Sequence, residues 1–179
     1  MTSSLRSVTG TVVPLPGGAR IPPYHMPWCF GCGPENDQGL GLSARIEGDK
    51  IVADLRFAPR FQGGPGLVHG GAISAFFDDL MGFVPVAHHA PAVTGRIEID
   101  FRKPIPLGMT LRGEAWLAAR DGRKLHAEAI GADQEGVVHV EARALFLGVG
   151  VEHLLQAFGD MPAEQRERLS SFRSDEYYP

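Results

Sequence analysis

The hydrophobic residues of this chain follow two different periods, and the change of period predicts the order of its secondary structure. In residues 39–57, apolar positions alternate with small or polar ones on both sides of a turn at 47–49, which is typical of a β-hairpin. A mostly apolar run follows the Gly-rich residues 69–71 and continues to about Val86, and its length predicts a helix.

Four alternating segments after this helix predict four more strands, at 94–101, 111–119, 125–132 and 137–147. Asp121 and Gly122 predict a two-residue hairpin turn between the second and the third of them. The pattern therefore predicts an α+β fold with an antiparallel six-stranded sheet and one long helix. One helix cannot cover both faces of such a sheet, so we expect the N-terminal segment, the C-terminal segment or a second subunit to cover the remaining face or an edge.

The composition fits one domain rich in turns. The chain has 179 residues and a mass of 19.3 kDa, and its 23 glycines and 14 prolines argue for short strands and against a helical bundle. We interpret the Pro- and Gly-rich residues 1–27 as an N-terminal arm, 28–150 as the domain, and 151–179 as a tail with short helical stretches.

Charge and hydropathy exclude several classes of partner. A net charge of −4 argues against a strongly basic nucleic-acid-binding surface. The N-terminal residues lead into no apolar segment, so no signal peptide is predicted. The longest apolar stretch, 72–87, is interrupted by Asp78 and Asp79 and is expected to be too short to span a bilayer. We therefore expect a cytoplasmic protein with neither a nucleic-acid nor a membrane partner.

A glycine-rich loop, residues 63–71, leads directly into the predicted helix. The first N–H groups of a helix have no partners within the helix, and Gly70 and Gly71 would let a ligand approach them closely. Such an end can bind an anion or stabilise the oxyanion of acyl transfer. Glycines are also common in tight loop-to-helix connections, so the loop alone leaves both interpretations open.

Two adjacent acids, Asp78 and Asp79, interrupt the apolar helix. Neighbouring helical positions differ by about 100°, so the two side chains cannot face the same way. Burying a carboxylate in apolar surroundings is costly unless it has hydrogen-bonding partners or a catalytic role, which makes Asp78 a candidate catalytic group. The alternative is that both acids are partly exposed at the edge of the helix. Gly70 and Asp78 lie about 12 Å apart along a helix, too far to act on one carbonyl, so we expect them to meet only between two subunits.

These residues resemble a known family. The motif at residues 65–71, followed by Asp78 after two apolar helical turns, is similar to that of the hotdog-fold acyl-CoA thioesterases, in particular the PaaI-like branch. The resemblance includes Thr94 at the start of the next strand and the stretches 29–36 and 102–108, and it covers about residues 28–148. It implies a sheet wrapped around a central helix, with subunits paired into a dimer and often into a dimer of dimers.

The resemblance also implies an activity, the hydrolysis of acyl-CoA to a carboxylic acid and free coenzyme A without a cofactor. In similar enzymes the acid matching Asp78 is the nucleophile or general base, and the amide matching Gly70 polarises the thioester carbonyl. The residue matching His69 supports that end of the site, and the hydroxyl matching Thr94 helps to position the attacking water. The residues we expect to contact substrate are Gln62, Gly66, Gly71 and Phe77.

One position departs from the family pattern. Many PaaI-like enzymes carry an asparagine six residues before the motif histidine, where this chain has Gly63 with Gln62 just before it. Two other functions therefore stay open: a non-catalytic acyl-CoA-binding module, and a hydratase or dehydratase on the same fold. Asp121 and His126 have the D-x4-H spacing of hotdog-fold hydratases, but they lie around a predicted turn and not at the entry to the helix.

A metal-like pattern occurs where the N-terminal arm meets the domain. His25, Cys29 and Cys32 form H-x3-C-x2-C, but a closed zinc site needs four ligands and the sequence suggests only His69, His88 or His89 as the fourth. We therefore expect no metal site and interpret the cysteines as ordinary reduced thiols in a turn.

Overall fold

The computed structural model describes residues 12–150 and 162–163, and in this part of the chain one long helix packs against one antiparallel sheet. The elements are β1 (Arg45–Glu47), β2 (Lys50–Arg56), a 3-10 turn (Pro59–Phe61), α1 (Gly70–Ala87), β3 (Ala92–Phe101), β4 (Thr110–Asp121), β5 (Lys124–Ala132) and β6 (Val138–Gly148). The strand order across the sheet is β1-β2-β4-β5-β6-β3. The predicted α+β architecture is confirmed.

The helix α1 forms the centre of the core. It begins and ends within about one residue of the predicted bounds, and its side chains Phe76, Phe77, Leu80 and Met81 are completely buried against the sheet. With 18 residues it is long and apolar enough to cross a bilayer, so the expectation that this stretch is too short was wrong. However, 61% of it is buried inside the protein, as in the core helix of a folded domain.

Two glycines of the sheet make room for this helix. Gly113 of β4 and Gly131 of β5 are paired across the strands. A Cβ atom at Gly113 would lie 2.6 Å from one ring atom of Phe76 and from a methyl group of Leu80, and one at Gly131 would lie 2.7 Å from the ring of Phe77. The two missing side chains therefore form a trough into which the helix packs.

The first predicted strand was largely wrong. Only Arg45–Glu47 pair with β2, whereas Leu40 and Leu42 are buried in a loop. The N–H groups of these two leucines donate to the carbonyl oxygens of Phe30 and Gly31, each at 2.8 Å. The alternation therefore reports burial on one side of an irregular segment. Similarly, the β4–β5 turn is shifted by one residue from the prediction, because Asp121 still pairs with Lys124.

The N-terminal arm covers part of the core. Residues 12–27 contain neither helix nor strand, yet Val13, Leu15 and Ile21 pack against the hydrophobic cluster, and the Val13 N–H donates to the Leu117 carbonyl at 2.8 Å. The predicted helices of the tail lie outside the described residues, apart from 162–163. The domain boundaries and the cytoplasmic location stay predictions.

Asp133 organises the β5–β6 turn. One carboxylate oxygen accepts hydrogen bonds from the N–H groups of Glu135 and Val137, and the other contacts His139 Nε2 at 3.0 Å. The bond with His139, and then that from Val137, lowers the pKa of Asp133 below its ordinary value of 3.8. The ionised carboxylate therefore stabilises the fold above that value.

We expect this stabilisation to be lost as the pH falls through the lowered pKa of Asp133, because protonation then weakens the bonds that the carboxylate accepts. Asp133→Asn should lower the melting temperature at neutral pH, and the difference from the native protein should shrink below about pH 4. Thermal unfolding followed by circular dichroism between pH 3 and 7 measures this, with the exposed Asp121→Asn as control. A difference independent of pH would contradict the assignment.

Candidate active site

The N-terminus of α1 is capped by His69. The ring atom Nδ1 accepts a hydrogen bond from the Gly71 N–H at 2.8 Å, so this nitrogen carries no proton. The Gly71 amide is thereby engaged and is not available as an oxyanion donor. The Gly70 N–H donates no hydrogen bond within the described residues. Of the two predicted donors, the structure therefore leaves Gly70 free.

Two shallow grooves open on either side of this helix end. One has a volume of about 260 Å³ and is lined by Phe30, Arg60, Phe61, Gln62, His69, Gly71 and Ala72. The other, of about 280 Å³, brings together Gly70, Phe101 and Lys103. Gly70 thus lies in a groove with an exposed aromatic ring and a cationic side chain, while Gly71 and His69 face the other groove.

The loop before the helix explains the departure at Gly63. A Cβ atom there would lie 2.9 Å from the Cα atom of His69, so a side chain at this position would force the loop to move. Gln62 instead lines the groove beside His69, where its amide is accessible. Gly66 has a φ of 72°, a left-handed conformation that favours glycine, and its carbonyl accepts a hydrogen bond from Leu107.

Asp78 and Thr94, two of the residues predicted for the site, lie next to each other. The Thr94 hydroxyl donates to Asp78 Oδ1 at 3.0 Å, and Asp78 is only partly buried. A β-bulge in β3 places this hydroxyl: Thr94 pairs with Phe146 and Arg96 with Leu145, so the residue between them has no partner in the register. Bulges commonly redirect side chains beside functional sites.

The neighbouring acid, Asp79, is largely buried and contacts other polar side chains. Its side chain is 11% exposed, and Oδ1 contacts His25 Nδ1 at 3.0 Å and Cys29 Sγ at 3.2 Å. Burial favours the neutral acid, but the interactions with His25, Cys29 and Cys32 together outweigh burial and lower the pKa of Asp79. The buried member of the acidic pair is therefore Asp79, which sequence reasoning did not connect with His25 and the cysteines.

The same cluster also shifts the pKa values of its other members, His25, Cys29 and Cys32. Burial lowers the pKa of His25, but its contacts with Asp79 and Cys29 outweigh burial and raise it to about 9. The contact with Cys32 lowers the pKa of the Cys29 thiol to about 5, and the same contact together with burial raises that of Cys32. The four side chains therefore behave as one coupled group.

One predicted substrate contact does not fit the structure, whereas two other expectations do. Phe77 is completely buried between helix and sheet, so its ring is not accessible to a substrate. Asp121 and His126 lie on β4 and β5 around a turn and not at the helix entry, which removes the geometric basis for a hydratase motif. Gly70 and Asp78 are separated by about 12 Å of helix, so one chain does not bring them to a common point.

Comparison with known proteins shows which family the chain is similar to. Residues 65–140 match the family model described as the thioesterase superfamily, a range that contains the His69 loop, α1 and Thr94. A crystal structure described as a thioesterase superfamily protein is 26% identical, with a TM-score of 0.62, and the alignment covers 64% of this chain and 60% of that one. The predicted resemblance and the hotdog fold are thereby confirmed.

Some of the similar proteins are named for an enzymatic activity. Acyl-coenzyme A thioesterase THEM4 from Rattus norvegicus is 34% identical over 118 residues, which are 62% of this chain and 50% of the rat protein. The chain therefore spans about half the length of the curated relatives it matches. The E. coli PaaI protein shares the fold at 20% identity and a TM-score of 0.59, over 65% of this chain and 87% of PaaI.

Proposed function

We propose that the protein hydrolyses an acyl-CoA thioester to a carboxylic acid and free coenzyme A. The observation that carries this proposal is an accessible carboxylate, Asp78, bonded to the Thr94 hydroxyl on an otherwise apolar helix. The name of the rat relative supports the substrate class. No cofactor is needed, because a carboxylate, a hydroxyl and a backbone donor suffice for thioester hydrolysis.

The chemistry follows from these groups. The oxygen of water bonds to the thioester carbonyl carbon, and the bond from that carbon to sulfur breaks. Asp78 either accepts the proton of the attacking water as general base or attacks the carbon itself and is then freed by water. Thr94 donates to Asp78 but retains oxygen lone pairs that can accept a hydrogen bond from the attacking water.

The carbonyl oxygen needs a separate donor, because it gains negative charge in the transition state. The Gly70 N–H at the positive end of the helix dipole has the required chemistry, and His69 holds the next amide, that of Gly71. The nearby Lys103 supplies positive charge suited to the phosphates of coenzyme A. The departing sulfur leaves as the coenzyme A thiolate and takes up a proton.

A second subunit completes the site in this proposal. β3 forms one edge of the sheet and carries Val93 and Phe101, which are 39% and 52% exposed. Thr94 at the start of β3 lies beside Asp78, whereas Phe101 at its end lies beside Gly70. Antiparallel pairing of β3 with a second copy therefore puts the Asp78 end of one subunit next to the Gly70 end of the other.

The test is hydrolysis of a panel of short-chain, long-chain and aromatic acyl-CoAs by the native protein. Release of free coenzyme A is followed by chromatography, so that the protein's own free thiols, Cys29 and Cys32, do not contribute to the signal. We expect turnover, with the best substrate defining the acyl class, and a dimer or tetramer by light scattering.

Three outcomes would contradict this proposal in different ways. Tight binding of a non-hydrolysable acyl-CoA analogue without turnover of any panel member would indicate a binding module. Hydration of an enoyl-CoA would indicate a hydratase. Full activity of a strictly monomeric protein would show that the active site is not shared between subunits. The proposed reaction would still stand.

A further inference from the structure

We propose that His25, Cys29, Cys32 and Asp79 form a structural zinc site that fastens the N-terminal segment to the central helix. The four ligand atoms lie within 4.8 Å of one another. His25 Nδ1 is 3.0 Å from Asp79 Oδ1 and 3.4 Å from Cys32 Sγ, and Cys29 Sγ is 3.2 Å from Asp79 Oδ1. Ligands about 2.0–2.3 Å from a tetrahedral zinc ion lie roughly 3.3–3.8 Å from one another, so only small shifts are needed to seat the ion.

The sequence pattern offered no definite fourth ligand beside His25, Cys29 and Cys32, and the structure supplies one. His25, Cys29 and Cys32 are close in sequence, but Asp79 is 47 positions beyond Cys32 and reaches them from the middle of α1. Two thiolates, one imidazole and one carboxylate are ligands that zinc accepts in proteins. With four protein ligands the site has no open position, which is characteristic of a structural centre.

The backbone around the cluster is shaped to bring these atoms together. A Cβ atom at Gly31, between the two cysteines, would lie 2.2 Å from Asp79 Cγ, so the loop can lie on the carboxylate only with glycine there. The His25 N–H donates to Cys32 Sγ at 3.1 Å, a contact that stabilises a thiolate. The His25 ring stacks on Phe83 with 3.9 Å between centroids, which fixes the direction of Nδ1.

Hydrogen bonding alone does not satisfy the cluster. Asp79 Oδ2 is buried and has no hydrogen-bond partner within the described residues, and a buried unpaired carboxylate oxygen is costly. His25 Nδ1 also faces two acceptors, Asp79 Oδ1 and the Cys32 sulfur, while it can carry only one proton. A bound cation removes the conflict at Nδ1, because each ligand atom then contributes a lone pair, and its positive charge offsets the cost of the buried carboxylate.

A nucleophilic Cys-His-Asp arrangement does not fit the geometry. Such a triad places the acid on one ring nitrogen and the thiol on the other. Here the acid and the Cys32 thiol meet at the same nitrogen, Nδ1, of His25. The Nε2 side of the ring lies beside Gly82 of α1, where an added Cβ would be 3.4 Å away. Convergence on one point is the geometry of a metal centre.

The site would have a defined structural effect. It joins the loop of Cys29 and Cys32 to the helical turn that carries Asp79, and the adjacent Asp78 is the acid bonded to Thr94. The same loop pairs with Leu40 and Leu42, which lie in the core. Loss of the ion is therefore expected to loosen the N-terminal segment and lower thermal stability, since metal binding contributes to folding. The zinc site does not depend on the proposed activity.

The test uses the whole 179-residue chain, purified under reducing conditions without chelators. Elemental analysis should find about one zinc ion per chain. Removal of zinc with a chelator at mildly acidic pH should lower the melting temperature, and added Zn²⁺ should restore it. Replacement by Co²⁺ should give the visible ligand-field bands of a tetrahedral ion and thiolate-to-cobalt charge-transfer bands in the near ultraviolet.

Matched variants assign the ligands. Asp79→Asn and Cys32→Ser should reduce Zn²⁺ affinity by roughly a hundredfold or more, whereas Asp78→Asn, which changes the adjacent acid on the same helix, should leave affinity unchanged. If a ligand variant does not fold, the cobalt spectrum of the native protein still tests the site. Native protein that contains no metal and takes up neither Zn²⁺ nor Co²⁺ under reducing conditions overturns the proposal. Unchanged affinity in Asp79→Asn overturns the assignment of the fourth ligand.

Discussion

Asp78→Asn is expected to reduce the rate of acyl-CoA hydrolysis by roughly 10²–10⁴-fold, because it removes the group proposed to activate water or attack the thioester. The substitution keeps the shape of the side chain, and its amide oxygen can still accept the hydrogen bond from Thr94. The effect should fall on kcat more than on KM, since the lost interaction operates in the transition state. Steady-state release of coenzyme A measures both constants.

Stability provides the control for this experiment. Asp78 is only partly buried and its main contact is preserved, so the free energy of unfolding should change by no more than about 0.5 kcal/mol. Asp49→Asn, in the exposed turn between β1 and β2, removes one negative charge far from the helix and should keep full activity. Equal turnover by Asp78→Asn and the native protein would exclude Asp78 from the mechanism.

Gly113→Ala and Gly131→Ala are each expected to destabilise the fold by about 1–3 kcal/mol, because the new methyl groups enter space held by buried aromatic rings. The nearest ring atoms lie 2.6 Å and 2.7 Å from the added Cβ positions and belong to Phe76 and Phe77. For a domain of this size the melting temperature should fall by roughly 2–4 °C per kcal/mol. Denaturant and thermal unfolding measure the two quantities.

The sign of this effect is diagnostic. Where nothing opposes the methyl group, replacing glycine by alanine commonly stabilises a protein by about 0.4–1 kcal/mol through the unfolded chain. Gly64→Ala is the control, because a Cβ atom there has no neighbour within 4 Å. A second substitution, Phe76→Leu, should recover part of the stability lost in Gly113→Ala. Stability unchanged in both trough variants would show that the helix does not pack as closely as the structure indicates.

The helix and the later strands could be predicted because their sequence signals are local. The Gly-Gly start and the apolar run determined α1 to within about a residue, and strict alternation determined β3 to β6. The first strand failed for a physical reason: Leu40 and Leu42 alternate because one side of their loop is buried, and their N–H groups bond to the Cys29–Cys32 loop. Alternation reports burial but not the hydrogen-bonding partner.

Individual residues of the candidate site could be predicted from the sequence, but their arrangement in space could not. Helical periodicity required Asp78 and Asp79 to face different ways, but only the folded structure shows that Asp79 is the buried one. The motif also suggested Gly70 and Gly71 together, and the bond from Gly71 to His69 separates them. The fourth member of the His25 cluster lies far along the chain, and no local spacing could have connected it.

The two edges of the sheet differ in a way that limits how far subunits can add to one another. Unpaired strands invite other chains to add, and long edges do so more than short ones. β1 is only 3 residues long, whereas β3 is 10 residues long. If the β3 strands of two copies pair with each other, both long edges are covered and only the short β1 edges remain exposed. Growth along the sheet then stops at two chains, so the unequal edges favour a closed pair over an open fibre.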